Sequence, residues 1–169
     1  MIHFDLKPQN IIFHNGEVKI TDFGLCKIID EGHEKIELTS PGVGTYWYQA
    51  PECFHTQGSA QISHKVDIWS VGVIFFELLF GQKPFGHNQS QQSILKDQTI
   101  LNAREVIFPP KPQISDSCKE FIRKCLAYHH QDRYDVYEAY FSPYLRGTSA
   151  AKDKFMATDQ SLINNVSKQ

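Results

Sequence analysis

Two short segments bring together residue types able to move a phosphoryl group. The first is His3-Phe4-Asp5-Leu6-Lys7-Pro8-Gln9-Asn10; the second, Asp22-Phe23-Gly24, begins twelve residues after Asn10. Together they supply two carboxylates, a carboxamide and an ammonium group. Phosphoryl transfer asks for that set. Magnesium bridging nucleotide phosphates takes hard oxygen ligands, a carboxylate must receive or orient the attacking hydroxyl, and a cation must balance charge on the moving group. Either motif alone is weak, since a bare Asp-Phe-Gly triplet arises by chance. Both in order, with a hairpin between them and Ala50-Pro51-Glu52 thirty residues past Asp22, form a specific pattern.

The elements that must hold these groups follow from the local pattern. Asn10-Ile11-Ile12-Phe13-His14 and Glu17-Val18-Lys19-Ile20 flank Asn15-Gly16, a strong short-range hairpin signal. Residues 30–63 lack sustained period and carry several Gly and Pro, which predicts a long loop region. Val66 to Phe80 is apolar nearly all round, which predicts a central helix buried on every side and stopped by Gly81 and Pro84. A polar helix is expected over residues 90–103, before an extended Phe108-Pro109-Pro110-Lys111-Pro112. Ser115 is placed to cap a helix whose Cys118, Phe121, Ile122, Cys125 and Leu126 fall at i, i+3, i+4, i+7 and i+8. Asp132 is expected to cap a last helix carrying Val136, Ala139 and Tyr140. From Gly147 onward small polar and charged residues dominate, so residues 147–169 are read as a flexible tail and 1–146 as one partial domain.

Composition narrows the partners. With 169 residues, 41% of them apolar, the chain has enough material for one core and too many aromatics for disorder. A net charge of -2 gives no bulk attraction to nucleic acid or anionic lipid. The longest apolar run, Ile68 to Phe80, contains Glu77 and falls short of the roughly 20 residues of a membrane span. The first residues carry no basic stretch followed by an apolar one, so no secretory signal is expected. Cys26, Cys53, Cys118 and Cys125 fit neither a zinc pattern nor a disulfide framework, and most are expected as small core residues in a reducing compartment.

The two motifs and Ala50-Pro51-Glu52 resemble the signature set of eukaryotic protein kinases over about residues 2–146. The resemblance implies a mainly α fold with a small β-hairpin, the C-terminal lobe of the kinase α+β fold, with ATP and Mg2+ as cofactors. It implies that Asp5 accepts the substrate hydroxyl proton, that Lys7 contacts the transferred phosphate, and that Asn10 and Asp22 hold magnesium. Ile12 is expected in the floor under adenine, and Thr45 as the link between the substrate-binding loop and Asp5 with Lys7. Lys7-Pro8 and Gly44-Thr45 look like the serine/threonine branch. Glu52 and Arg133 match a buried bracing ion pair, and Asp67 a support for the catalytic loop backbone. Glu77 is read as structural.

Within the kinases, Glu37-Leu38-Thr39-Ser40, Gly44-Thr45-Tyr46-Trp47-Tyr48, Pro51-Glu52-Cys53-Phe54, the run Lys83 to Gln92, Phe108 to Pro112 and Cys125-Leu126-Ala127-Tyr128 resemble the Tousled-like kinases. This implies a nuclear enzyme phosphorylating Ser or Thr of protein substrates, namely histone chaperones of the anti-silencing type, in chromatin assembly and chromosome segregation. No direct nucleic-acid or membrane partner is expected.

Two departures qualify the resemblance. Phe4 stands where most kinases carry an Arg that pairs with a phosphate on the activation loop, so phosphorylation at the candidate sites Thr39 or Ser40 is not expected to act through position 4. The chain also opens on the catalytic-loop motif, with no Gly-rich loop or strand lysine before it. The expectation is a kinase fragment lacking its smaller lobe, with apolar surface opened around Trp69. The rival reading is a truncated, non-catalytic module that binds kinase partners or substrates through residues 44–54 and 87–92.

Overall fold

A computed structural model describes residues 1–30, 32–38, 43–55 and 60–147. Thr39, Ser40 and the tail beyond Gly147 lie outside the described residues. The hairpin forms as its turn demands. Strand β1 (Ile11–His14) pairs antiparallel with β2 (Glu17–Ile20), Ile11 opposite Ile20 and Phe13 opposite Val18. Asn15 and Gly16 take φ of 51° and 78°, the two left-handed positions that a two-residue turn of this hand needs. Side chains alternate, so Ile11, Phe13, Val18 and Ile20 share one face while Ile12, His14, Glu17 and Lys19 share the other. All but Ile11 are exposed.

The ladder runs one residue further than the strands. Thr21 N–H donates to the Asn10 carbonyl at 2.9 Å, which sets Asp22 just past the ribbon's end. Upstream, Ile2 and Lys27 exchange two backbone bonds of 2.8 Å and tie the first residues to the segment after Asp22-Phe23-Gly24.

The expected loop of residues 30–63 contains a pairing the local pattern does not show. Strand β3 (Ile36–Glu37) runs antiparallel to β4 (Gln61–Ile62), with Ile36 opposite the fully buried Ile62. The described residues of this segment also form short 3-10 turns at Tyr46–Tyr48 and Pro51–Phe54.

Helix α1 (Lys65–Phe80) is the axis of the molecule. Gly81, at φ 67°, ends it in the left-handed cap, its N–H donating to the Glu77 carbonyl at 2.8 Å. Val66, Ile68, Trp69, Val73, Ile74 and Phe76 are buried. The helix is not buried on every side. Val71 and Leu78, seven residues apart on one stripe, are exposed, because no described element packs there. The apolar surface expected to open on this helix lies at Val71 and Leu78, whereas Trp69 itself is completely covered and stacks on Phe85 with 5.6 Å between ring centroids.

Helix α2 (Gln91–Lys96) is less than half the expected length. Ser90 caps it, accepting from Ser93 N–H at 3.1 Å, but Gln98 turns left-handed at φ 51° and breaks the repeat. Helix α3 (Asp116–Cys125) follows its forecast, with Ser115 Oγ accepting from Cys118 N–H at 3.2 Å and all five apolar positions buried. It crosses α1 closely. A Cβ on Gly72 would sit 2.8 Å from Cys125 Cβ and 2.9 Å from Leu126, so only glycine permits this approach.

Helix α4 (Val136–Tyr140) is capped by Asp135, not Asp132. Asp135 accepts from Glu138 N–H and Glu138 accepts from Asp135 N–H, both at 2.7 Å, a reciprocal box that satisfies two orphan donors at once. Asp132 sits in the turn before, bonded to His129. Ala139 is buried while Val136 is exposed. A further one-turn helix, α5 (Pro143–Arg146), follows Ser142, which caps it. Cys53, Cys118 and Cys125 are free thiols in the core; burial pushes Cys125 up to about 12. Among the described residues no helix is long and apolar enough to cross a membrane.

Candidate active site

The loop from His3 to Asn10 is hung on α1. Asp67, in the first turn of the helix, accepts from His3 N–H at 2.7 Å and from Phe4 N–H at 2.9 Å, one bond to each carboxylate oxygen. This double hook holds Phe4 at φ 71°, a left-handed conformation rare for a bulky residue. Burial pushes the Asp67 carboxyl above its usual range, and the two backbone bonds pull it partly back. The Phe4 ring is buried beneath the Lys27 ammonium, 5.3 Å from the ring centroid, and offers no donor toward a phosphate. His3 braces the other side, its Nε2 lying 3.1 Å from the Thr21 carbonyl and its ring 5.3 Å from that of Phe23.

The strained turn delivers Asp5 into a closed set of polar groups. Lys7 Nζ lies 2.5 Å from Asp5 Oδ2 and 3.2 Å from Thr45 Oγ1, and the Thr45 hydroxyl donates to Asp5 Oδ1 at 3.0 Å. A hydroxyl both accepts and donates, so Thr45 closes the triangle without an unsatisfied group. Two of the three ammonium donors of Lys7 are thereby used, and one is left. Asn10 Nδ2 donates to the Asp5 carbonyl at 2.9 Å and lies 3.4 Å from Asp5 Oδ2. With its nitrogen committed to Asp5, the carboxamide oxygen is the part of Asn10 suited to a cation.

Asp22 sits one residue beyond the Asn10–Thr21 pair, exposed and left-handed at φ 62°, with Oδ1 accepting from Gly24 N–H at 3.3 Å. A carboxylate and a carboxamide oxygen at the end of one ribbon are the hard donors that magnesium takes, so the residues present fit that ion. Asp5, Lys7, Asn10 and Thr45 are thus brought into direct contact, while Asp22 follows the Asn10–Thr21 backbone bond by one residue and makes its own bond to Gly24. Ile12 stands apart on the open face of the hairpin, next to Lys19.

Residues outside the forecast complete the surroundings. Gly44, at φ 103°, passes so close that a Cβ would meet Gln49 Nε2 at 2.5 Å and Asp5 Oδ1 at 3.5 Å. The Gln49 amide in turn donates to the Val43 carbonyl. Next to Thr45 opens a cleft of about 300 Å³ lined by Lys7, Gln9, Thr45, Trp47, Tyr48 and Lys83. Behind it Glu77 accepts from the Tyr48 hydroxyl at 2.6 Å and from Lys83 at 2.9 Å. Burial and the Glu77 carboxylate push the Tyr48 phenol well above its usual range. No local signal marks this trio, because Tyr48 lies 29 positions from Glu77 and a turn separates Glu77 from Lys83. Glu52 and Arg133 do form the bracing pair, with bonds of 2.7 and 3.0 Å.

Comparison with known proteins gives the family. A family model described as protein kinase domain matches residues 1–145. Serine/threonine-protein kinase tousled-like 1 of Mus musculus is 57% identical over 153 residues, 86% of this chain and 20% of the relative. Its namesake in Homo sapiens gives the same figures. Serine/threonine-protein kinase TOUSLED of Arabidopsis thaliana is 52% identical over 149 residues, 86% of this chain and 22% of the relative. The chain therefore spans about a fifth of the length of the curated relatives it matches. With the motif residues gathered around Asp5 and a family match over nearly every described residue, this chain belongs to the protein kinase domain family and is similar, within it, to the Tousled-like serine/threonine kinases.

Proposed function

We propose that the protein carrying this chain transfers the γ-phosphate of ATP to a Ser or Thr hydroxyl of a protein substrate, with residues 1–146 serving as the larger lobe of its kinase domain. The observation that supports this reading is the closed Asp5–Lys7–Thr45 set. Asp5 receives the proton of the attacking hydroxyl as the new O–P bond forms and the bond to the β-phosphate oxygen breaks, releasing ADP. Lys7 turns its remaining N–H to a phosphoryl oxygen and offsets charge there. Thr45 keeps both in register with the substrate-binding loop. Asn10 and Asp22 would hold magnesium, which when bound neutralises phosphate charge. Ile12 forms part of the surface under adenine.

The similarity to Tousled-like kinases supports a finer reading. In that reading the enzyme works in the nucleus, on histone chaperones of the anti-silencing type, during chromatin assembly and chromosome segregation. The test is Asp5→Asn in the whole protein. Transfer to a general Ser/Thr substrate should fall by about 10²- to 10⁴-fold, the worth of a positioned acid–base group, with ATP affinity retained. Normal turnover would overturn the assignment.

A further inference from the structure

We propose that the cleft beside Thr45 receives an anionic side chain of the substrate, an Asp, Glu or phosphorylated residue flanking the phosphoacceptor, on the ammonium of Lys83; this rests on the kinase reading above. Two of the six residues lining the cleft, Lys7 and Lys83, are cations, and none is a carboxylate. The carboxylates that balance them are already engaged. Asp5 bonds Lys7 and Thr45, and Glu77 spends one oxygen on Lys83 and the other on the Tyr48 hydroxyl. A basic substrate residue entering here meets two ammonium groups, and the carboxylates nearest them, Asp5 and Glu77, are already ion-paired. An acidic one meets Lys83 with donors to spare, since one of its three N–H groups goes to Glu77.

Lys83 is also held ready. Its ammonium lies 5.7 Å from the ring centroids of both Trp47 and Tyr48, and its side chain is only 23% exposed. Trp47 is fixed in turn by its indole N–H donating to the Gly86 carbonyl at 2.9 Å, and Tyr46 N–H is held by Gln91 at 3.2 Å. Little side-chain freedom is left to lose on binding, which favours recognition by a preorganised group. Lys7, whose remaining N–H the kinase reading assigns to the phosphoryl group, leaves Lys83 as the cation available to the peptide.

The test uses the whole protein and peptides with one acceptor Ser, in which Ala, Asp, phosphoserine or Lys is moved through the flanking positions. In one register Asp should raise kcat/KM about fivefold over Ala, the ratio expected of a partly exposed ion pair, and Lys should lower it. A larger gain from phosphoserine than from Asp identifies a previously phosphorylated substrate as the source of the charge. Fluorescence anisotropy with the acceptor Ser replaced by Ala reads the same preference without any transfer, so it is separate from the kinase reading itself. Lys83→Gln should erase the difference between Asp and Ala peptides, and Lys83→Glu should favour Lys. Lys96→Gln, an exposed control on α2, should retain the Asp preference. Equal binding of Ala, Asp and Lys peptides in every register, or an Asp preference that survives Lys83→Gln, overturns the proposal.

Discussion

Arg133 grips Glu52 through two parallel N–H···O bonds, 2.7 and 3.0 Å long, across 81 positions of chain. Its remaining donors reach the carbonyls of Ala127 at 3.1 Å, Lys65 at 3.1 Å and Tyr128 at 3.3 Å. All five guanidinium N–H groups are therefore spent, on a side chain with no solvent exposure. Lysine has three donors and no planar fork, so Arg133→Lys should behave nearly as badly as Arg133→Ala. Both should lose about 3–5 kcal/mol, the cost of breaking a buried pair from one side. Urea unfolding measures it; a wild-type midpoint for Arg133→Lys would refute the five-donor account.

Asp67 makes stability depend on pH with a definite sign. Burial holds its folded carboxyl above the range of the unfolded chain. Between the two values the folded state binds more protons, so stability falls as pH climbs through that window and levels off above it. Asp67→Asn should flatten this portion of the curve. It should also release one of the N–H groups of His3 and Phe4, since a carboxamide has a single oxygen, and lower kcat through a looser loop. Urea midpoints across an acid pH series decide the matter: an unchanged slope in the variant would assign the dependence to another group.

The Thr45 hydroxyl joins Asp5 to Lys7, and its loss should be felt in turnover more than in folding. Thr45→Val removes bonds to two charged groups and should cost about tenfold or more in kcat. Thr45→Ser keeps the hydroxyl and should restore most of it. Steady-state kinetics with both variants tests this, and a Thr45→Val enzyme of normal kcat would show the triangle to be dispensable.

Gly72 sets how closely α1 and α3 approach. Gly72→Ala forces a methyl against Cys125 Cβ, 2.8 Å away, and should destabilise the fold by about 1–3 kcal/mol through overpacking. Thermal melting provides the reading. A neutral or stabilising effect, as helix propensity alone would give, would mean the two helices can part without loss.

Much of this architecture was legible because its signals are local. Asn15-Gly16 names its turn, Ser115 and Gly81 name the ends of their helices, and Asp5, Lys7, Asn10 and Asp22 lie within eighteen positions joined by one hairpin. The expected cap Asp132 gives way to Asp135, whose reciprocal bonds with Glu138 start the helix, while Asp132 is held in the turn at His129. Pairing of β3 with β4 had no such signal, since two residues cannot show a period and their contact is long-range. The exposed stripe of Val71 and Leu78 was hidden for a related reason: an all-apolar helix does not announce which side its neighbours leave open. Within the site, the place of Thr45 followed from family resemblance, and Tyr48, Glu77 and Lys83 meet only once the chain is folded.

The hairpin that separates Asn10 from Asp22 is a two-stranded ribbon with nearly all its side chains in water. Such a ribbon is marginal alone, so the distance between the two oxygen donors is weakly enforced. Any apolar surface that settles on Phe13, Val18 and Ile20 would stiffen the ribbon and, with it, the grip on a cation. Thermodynamic reciprocity then requires that cation binding strengthen the hold on that same surface. Amide exchange at Thr21, whose N–H bonds Asn10, reports both events through one proton, and it should slow when either ligand is added. If Asn10 and Asp22 hold magnesium as proposed, the hairpin would act as a coupler, converting hydrophobic cover on one side into ion affinity at its end.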